Sequence, residues 1–134
     1  MPRILVIDDS ESALVYLEWI LREASHEVFT ASSGSEALNI LKKEPLDLVI
    51  TDIYMPAPDG LEIMRQAREM KLSVPFIAIS AQPFPLNKFG LARGLGAQMA
   101  LQKPFAPERL LDAVEAILDA NMGSRLPEFG KNGS

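Results

Sequence analysis

A chain of 134 residues with 48% hydrophobic and 23% charged side chains has the size and composition of one globular domain with a proper core. The absence of cysteine excludes disulfide frameworks and thiolate metal sites, and no apolar run approaches the roughly 20 residues of a membrane helix. The net charge, 13 − 18 = −5, opposes a nonspecific grip on nucleic acid or an anionic membrane; the short apolar start before Asp8-Asp9 is no signal peptide, and the expected compartment is the cytoplasm.

Ile4-Leu5-Val6-Ile7 is a β-branched run stopped by two aspartates, which predicts a strand buried on both faces. Ser10 stands where a helix cap belongs, and Leu14, Leu17 and Leu21 follow at helical spacing. Glu27 to Ala31 is a weaker second strand. Ser33-Gly34 then opens a helix with Ala37, Leu38 and Leu41 facing inward, and Pro45 breaks it. Leu46 to Thr51 is a third strand, running into Asp52. The segment Met55-Pro56-Ala57-Pro58-Asp59-Gly60 is turn chemistry ahead of a helix carrying Leu61, Met64 and Ala67. Pro75 to Ser80 is a fourth strand, and a short helix from Leu86 to Leu95 is weakened by Gly90 and Gly94. Ala97 to Lys103 is a fifth strand. The last helix starts near Ala106, with Pro107 in its first turn, and buries Leu110, Leu111, Val114, Ile117 and Leu118.

Strands alternating with helices predict a parallel sheet covered on both sides, doubly wound through right-handed crossovers with one reversal of strand order. No internal repeat or second domain is visible, so residues 1–122 are read as one domain. The segment from Gly123 to Ser134 mixes Gly, Ser, Pro and Asn without a hydrophobic period and is expected to be a disordered tail, with Gly-Ser and Glu-Phe pairs that suit an expression-vector scar.

Doubly wound sheets bind ligands beyond the carboxyl ends of their strands. There the first strand presents Asp8-Asp9, the third Asp52, the fourth Ser80 and the fifth Lys103-Pro104. Taken singly, each is ordinary cap or turn chemistry. Together they place three carboxylates, a hydroxyl and an ammonium on one rim. Three carboxylates in one crevice repel, and a hard divalent cation relieves them; a site with few carboxylates and several waters suits Mg²⁺, with Mn²⁺ as a substitute. Lys103 and Ser80 supply the point charge and hydrogen-bond donor that a transferred phosphoryl group requires.

The segments ILVIDDS, LVITDIYMPAPDG, FIAISA and GAQMALQKPF, spread from residue 3 towards 120, resemble the response regulator receiver domains of two-component signalling. The resemblance implies a CheY-like, flavodoxin-like (βα)₅ fold with five parallel strands in the order 2-1-3-4-5. It implies Asp52 as phosphoacceptor, Asp9 as a direct metal ligand, and Asp8 as a partner acting through metal-bound water. The backbone carbonyl of Tyr54 becomes a further metal ligand, Ser80 and Lys103 bind the phosphoryl group, and the peptide bond before Pro104 is expected to be cis. The implied donor is a sensor histidine kinase or a histidine phosphotransfer protein. The outcome is a switch that works through protein contacts with an unidentified downstream target, as a monomer or weak dimer. It is not a turnover enzyme, nor a chain that binds nucleic acid or membrane itself.

Some positions depart from the family pattern. An aromatic residue usually stands three before the lysine, where this chain has Ala100, so the family's usual coupling of phosphorylation to output does not carry over. Phe84 and Phe89, in a proline-broken segment, are candidates to replace that ring, set against ordinary packing under a loop. Tyr54 and Gln82 occupy the positions that flank the path of the hydrolytic water in the family. Trp19 reads as packing, and His26 as a turn residue far from the rim.

Three other readings compete. The chain suits a receiver excised from a longer regulator with a DNA-binding or enzymatic output domain. A phosphatase or phosphotransferase with an aspartyl nucleophile would want a second acid two residues on, where Tyr54 stands. A flavin or nucleotide site would want a Gly-rich phosphate loop after the first strand, and Asp8-Asp9 is electrostatically wrong for it.

Overall fold

The five expected strands form as β1 (Arg3–Ile7), β2 (Glu27–Ala31), β3 (Leu48–Asp52), β4 (Phe76–Ser80) and β5 (Ala97–Gln102). The computed structural model describes residues 1–81 and 92–125, so the expectations for Gln82, Phe84 and Phe89 lie outside the described residues. The strands pair in parallel in the order β2-β1-β3-β4-β5, as expected for a doubly wound sheet. Among the described residues the covering helices are α1 (Glu11–Glu23), α2 (Gly34–Lys43), α3 (Gly60–Glu69) and α4 (Pro107–Arg125); residues 92–95 are also helical.

The strict alternation of strand side chains builds two cores rather than one. Ile4, Val6, Leu48, Ile50, Ile77, Ile79 and Leu101 face the layer of α1 and α4, where Leu17, Leu21, Leu110 and Val114 meet them. Leu5, Ile7, Val49, Phe76 and Ala78 face the other layer, against Ala37 and Leu41 of α2 and Ile63, Met64 and Ala67 of α3. Every residue of β3 and β4 is buried, so these strands read as nearly continuous apolar runs, broken only by Thr51 before Asp52 and Ser80 close them.

Local chemistry starts each helix at the rim. The side chains of Ser10, Ser33 and Asp59 accept from the N–H groups of Ala13, Glu36 and Glu62 at 3.3, 3.2 and 3.0 Å. Gly34 has no room for a side chain: a Cβ there would lie 2.1 Å from the Pro58 carbonyl oxygen, so this glycine lets α2 approach the loop that follows β3.

Several bounds differ from the sequence reading: β3 spans Leu48–Asp52 rather than Leu46 to Thr51, β4 starts at Phe76 rather than Pro75, and β5 ends at Gln102 rather than Lys103. α4 runs through Arg125, past the expected limit at 122, because extending a formed helix costs little even through Gly123. β5 pairs Ala97 with Phe76 but Met99 with Ile77, so Gln98 is an extra residue that bulges this edge strand. Ala100 pairs with Ala78 and is half-buried. Trp19 lies on the open face of α1, 59% exposed.

His26 is far from the rim, at the turn between α1 and β2, with a buried Nδ1 that has no hydrogen-bond partner. Burial lowers its pKa from the usual 6.5, as does the N-terminal ammonium, against an opposing pull from Glu115. The unfolded chain therefore takes up this proton first as the pH falls, and the folded state loses stability from about pH 6.5 down through the depressed folded pKa. Urea unfolding of His26→Leu at pH 7, 6 and 5 should show a flatter pH dependence than the parent chain.

Candidate functional site

Parallel strands β1 and β3 are neighbours at the point where the strand order reverses, and β4 follows on the far side of β3. Their carboxyl ends therefore converge. Asp8 follows directly on β1, Asp52 closes β3, Ser80 closes β4, and Lys103 follows β5. Asp8 and Ser80 are wholly buried and Asp52 is 7% exposed, whereas Asp9 lies open to solvent.

The Lys103 ammonium ties this group together. Its Nζ donates to Asp8 Oδ2 at 2.6 Å and to Asp52 Oδ2 at 3.4 Å. The main chain holds the other carboxylate oxygens: Ser10 N–H donates to Asp8 Oδ1 at 2.9 Å, and Tyr54 N–H to Asp52 Oδ1 at 3.0 Å. Lys103 N–H donates to the Ser80 carbonyl at 2.7 Å, which sets β5's end beside β4's, and the Lys103–Pro104 peptide bond is cis. A second cis bond, Ala57–Pro58, lies in the loop after β3.

One ammonium does not balance the charge. Carboxylate oxygens of Asp8, Asp9 and Asp52 come within 4.8 Å of one another. Burial pushes the Asp52 carboxyl above its ordinary pKa; Asp8's charge adds to this, while Lys103 and the Tyr54 N–H oppose it. For Lys103 burial is the largest single influence and acts downward, yet the hydrogen bond to Asp8 and the charges of Asp52 and Asp8 outweigh it, so its pKa is raised. The cluster thus holds its lysine firmly cationic and remains short of positive charge. Three hard oxygen donors at this spacing fit a small divalent cation, with room left for water or another oxygen ligand because Asp9 faces solvent.

The family model for the response regulator receiver domain matches residues 4–115. The chain belongs to that family. It is 38% identical over 116 residues to the alkaline phosphatase synthesis transcriptional regulatory protein PhoP of Bacillus subtilis, covering 87% of this chain and 48% of that protein. The chain therefore spans about half the length of this relative. A CheY-like receiver from Methanospirillum hungatei superposes with a TM-score of 0.87 at 26% identity, covering 92% of this chain and 98% of that one. The response regulator TrrA of Thermotoga maritima, solved in complex with Mg²⁺-BeF, gives a TM-score of 0.78 at 32% identity, covering 87% and 99%.

Of the positions singled out in this receiver's sequence, Asp8, Asp9, Asp52 and Lys103 come together as one cluster, and Ser80 closes the adjoining strand. The side chain of Tyr54 packs against the α2/α3 core. Sequence reasoning missed the main-chain donors of Ser10 and Tyr54, which hydrogen bonding within a loop supplies regardless of side-chain type. It also missed Gly60, where a Cβ would stand 2.4 Å from the Asp52 carbonyl oxygen; the run Asp59-Gly60 read only as a turn.

Removing the lysine leaves buried carboxylate charge without its partner. Breaking a buried pair costs about 3–5 kcal/mol; with Lys103 a quarter exposed, Lys103→Met should destabilise the metal-free receiver by about 2–3 kcal/mol. Thermal melts should show added divalent cation stabilising this variant more than the parent chain.

Proposed function

We propose that this receiver accepts a phosphoryl group on Asp52 in a reaction that depends on Mg²⁺, with Mn²⁺ as a substitute. The observation that carries the reading is the Asp52 carboxylate itself. It ends a buried strand, is held by one main-chain N–H, and shares the ammonium of Lys103 with Asp8 inside an acidic cluster. Such a carboxylate is fixed in place yet poorly neutralised, which suits a nucleophile awaiting a cation and a phosphoryl donor.

In the transfer, an Asp52 oxygen forms a bond to phosphorus while the donor's P–N bond breaks. The electron pair leaves with the donor's imidazole, giving an acyl phosphate on Asp52. Lys103 is placed to move its ammonium onto an incoming phosphoryl oxygen, and Ser80, at the adjoining strand end, offers a hydroxyl. Asp9, Asp52 and the Tyr54 carbonyl would hold the metal, with Asp8 acting through water; Mg²⁺ as the metal is supported by analogy with TrrA, solved in complex with Mg²⁺-BeF. When bound, the cation neutralises negative charge on the transferring group.

The donor in this reading is a sensor histidine kinase or a phosphotransfer protein. Its approach is favoured across α1, where Val15, Tyr16 and Trp19 are exposed and Tyr16 lines a cleft of about 260 Å³ that reaches Lys103, Pro104 and Phe105. The switch acts through changed protein contacts rather than by turnover. A phosphatase is disfavoured because Tyr54 stands where a second acid would be needed. A second reading, a receiver that serves a longer regulator with its own output domain, is favoured by the chain's coverage of only 48% of the transcriptional regulator PhoP. A cytoplasmic site of action fits this role, and among the described residues no helix is long and apolar enough to cross a membrane.

Incubation with acetyl phosphate should add one phosphoryl group, read by intact mass, only when Mg²⁺ is present. Asp52→Ala should show none. Equal labelling of the variant would place the acceptor elsewhere.

A further inference from the structure

Four polar side chains are buried among the described residues: Asp8, Asp52 and Ser80 at the rim, and Thr51. The first three belong to the site, and Thr51 needs its own account. By the alternation along β3 it shares a face with Val49, towards α2 and α3, while Asp52 belongs to the opposite face. A hydroxyl buried in an apolar layer is costly unless it finds a partner. Here Thr51 Oγ1 donates to the carbonyl oxygen of Asp52 at 3.0 Å.

That carbonyl is one end of the peptide plane joining Asp52 to Ile53. At the plane's other end, Ile53 N–H donates to the Ile79 carbonyl on β4 at 3.0 Å. The peptide is rigid, so bonds at both ends fix its tilt. Gly60 closes a further side, since even a Cβ there would meet the same carbonyl oxygen at 2.4 Å. Together with the φ and ψ of Ile53, the tilt of this plane directs the next N–H, that of Tyr54, which holds Asp52 Oδ1 at 3.0 Å. The hydroxyl is thus connected to the carboxylate through the main chain alone.

We propose that Thr51 is a positioning residue for the phosphoacceptor: its hydroxyl pins the peptide plane after Asp52, so that the Tyr54 N–H holds the Asp52 carboxylate in one orientation for attack. The inference rests on Asp52 being the acceptor. Thr51 contacts no reacting atom and acts through the geometry of its neighbours. Catalytic groups displaced by a fraction of an ångström lose rate steeply, about 100-fold for a full ångström.

The test compares Thr51→Val, which keeps the shape without the hydroxyl, with Thr51→Ser, which keeps the hydroxyl without the methyl. Phosphorylation by acetyl phosphate at saturating Mg²⁺ should be about tenfold slower in Thr51→Val at saturating donor, with the half-saturating donor concentration unchanged. Thr51→Ser should stay within about twofold of the parent. In the metal-free proteins, hydrogen exchange of the Tyr54 amide should quicken in Thr51→Val and not in Thr51→Ser, a readout independent of turnover. If Thr51→Val does not fold, Thr51→Ala against Thr51→Ser makes the same comparison, since both lack the methyl. Rates set by fold stability alone, equal with and without the hydroxyl in the folded proteins, would overturn the proposal. Failure of the parent chain to label at all would instead overturn Asp52 as acceptor.

Discussion

Crowding of negative charge at the sheet's rim is the constraint around which this receiver is arranged. Three carboxylates have oxygens inside 4.8 Å of one another, the Lys103 ammonium pairs with two of them, Asp8 and Asp52, and those two have almost no access to solvent. Water cannot relieve them, so their charge must be met by protein groups or by a cation. The main-chain donors of Ser10 and Tyr54, and the lysine carried from the far edge of the sheet, are the protein's share. What they leave unmet is a deficit of positive charge, which the proposed cation would fill. A site neutralised fully by its own side chains would have little reason to bind one.

The sheet makes such an arrangement sustainable. Two apolar layers, one under α1 and α4 and one under α2 and α3, lock β1, β3 and β4 between them, so the polar residues at the strand ends cannot separate to escape repulsion. Arg3 secures the opposite end of the sheet, reaching Glu27 and Glu44 and lying 4.9 Å over the Phe29 ring. The close contacts of Gly34 with Pro58 and of Gly60 with the Asp52 carbonyl carry that rigidity into the loop beside Asp52. Packing energy at a distance thus holds the unfavourable electrostatics of the rim in place.

Ala100 stands where the family resemblance implies an aromatic ring. This position is half-buried on β5 opposite Ala78, on an edge strand bulged at Gln98. A methyl group there has no ring to swing inward, so the aromatic coupling that the resemblance implies has no counterpart at this position.

Much of this was legible in the chain itself. Short β-branched runs that stop at Asp8, Asp52 and Ser80 set the alternation of strands and helices and put these polar residues at strand ends, because burial on both faces favours apolar side chains until a strand leaves the core, with Thr51 the exception inside β3. Serines ahead of α1 and α2 marked those helix starts by local hydrogen bonding. Main-chain geometry and long-range contact were not legible. That Lys103 bridges Asp8 to Asp52, that the N–H groups of Ser10 and Tyr54 orient the two acids, and that Thr51 and Gly60 both meet the Asp52 carbonyl depends on how distant segments pack. Residue types and spacing encode what a strand end can offer; only the packed sheet decides which atoms meet there, because those distances arise from contacts spanning up to 95 residues of chain.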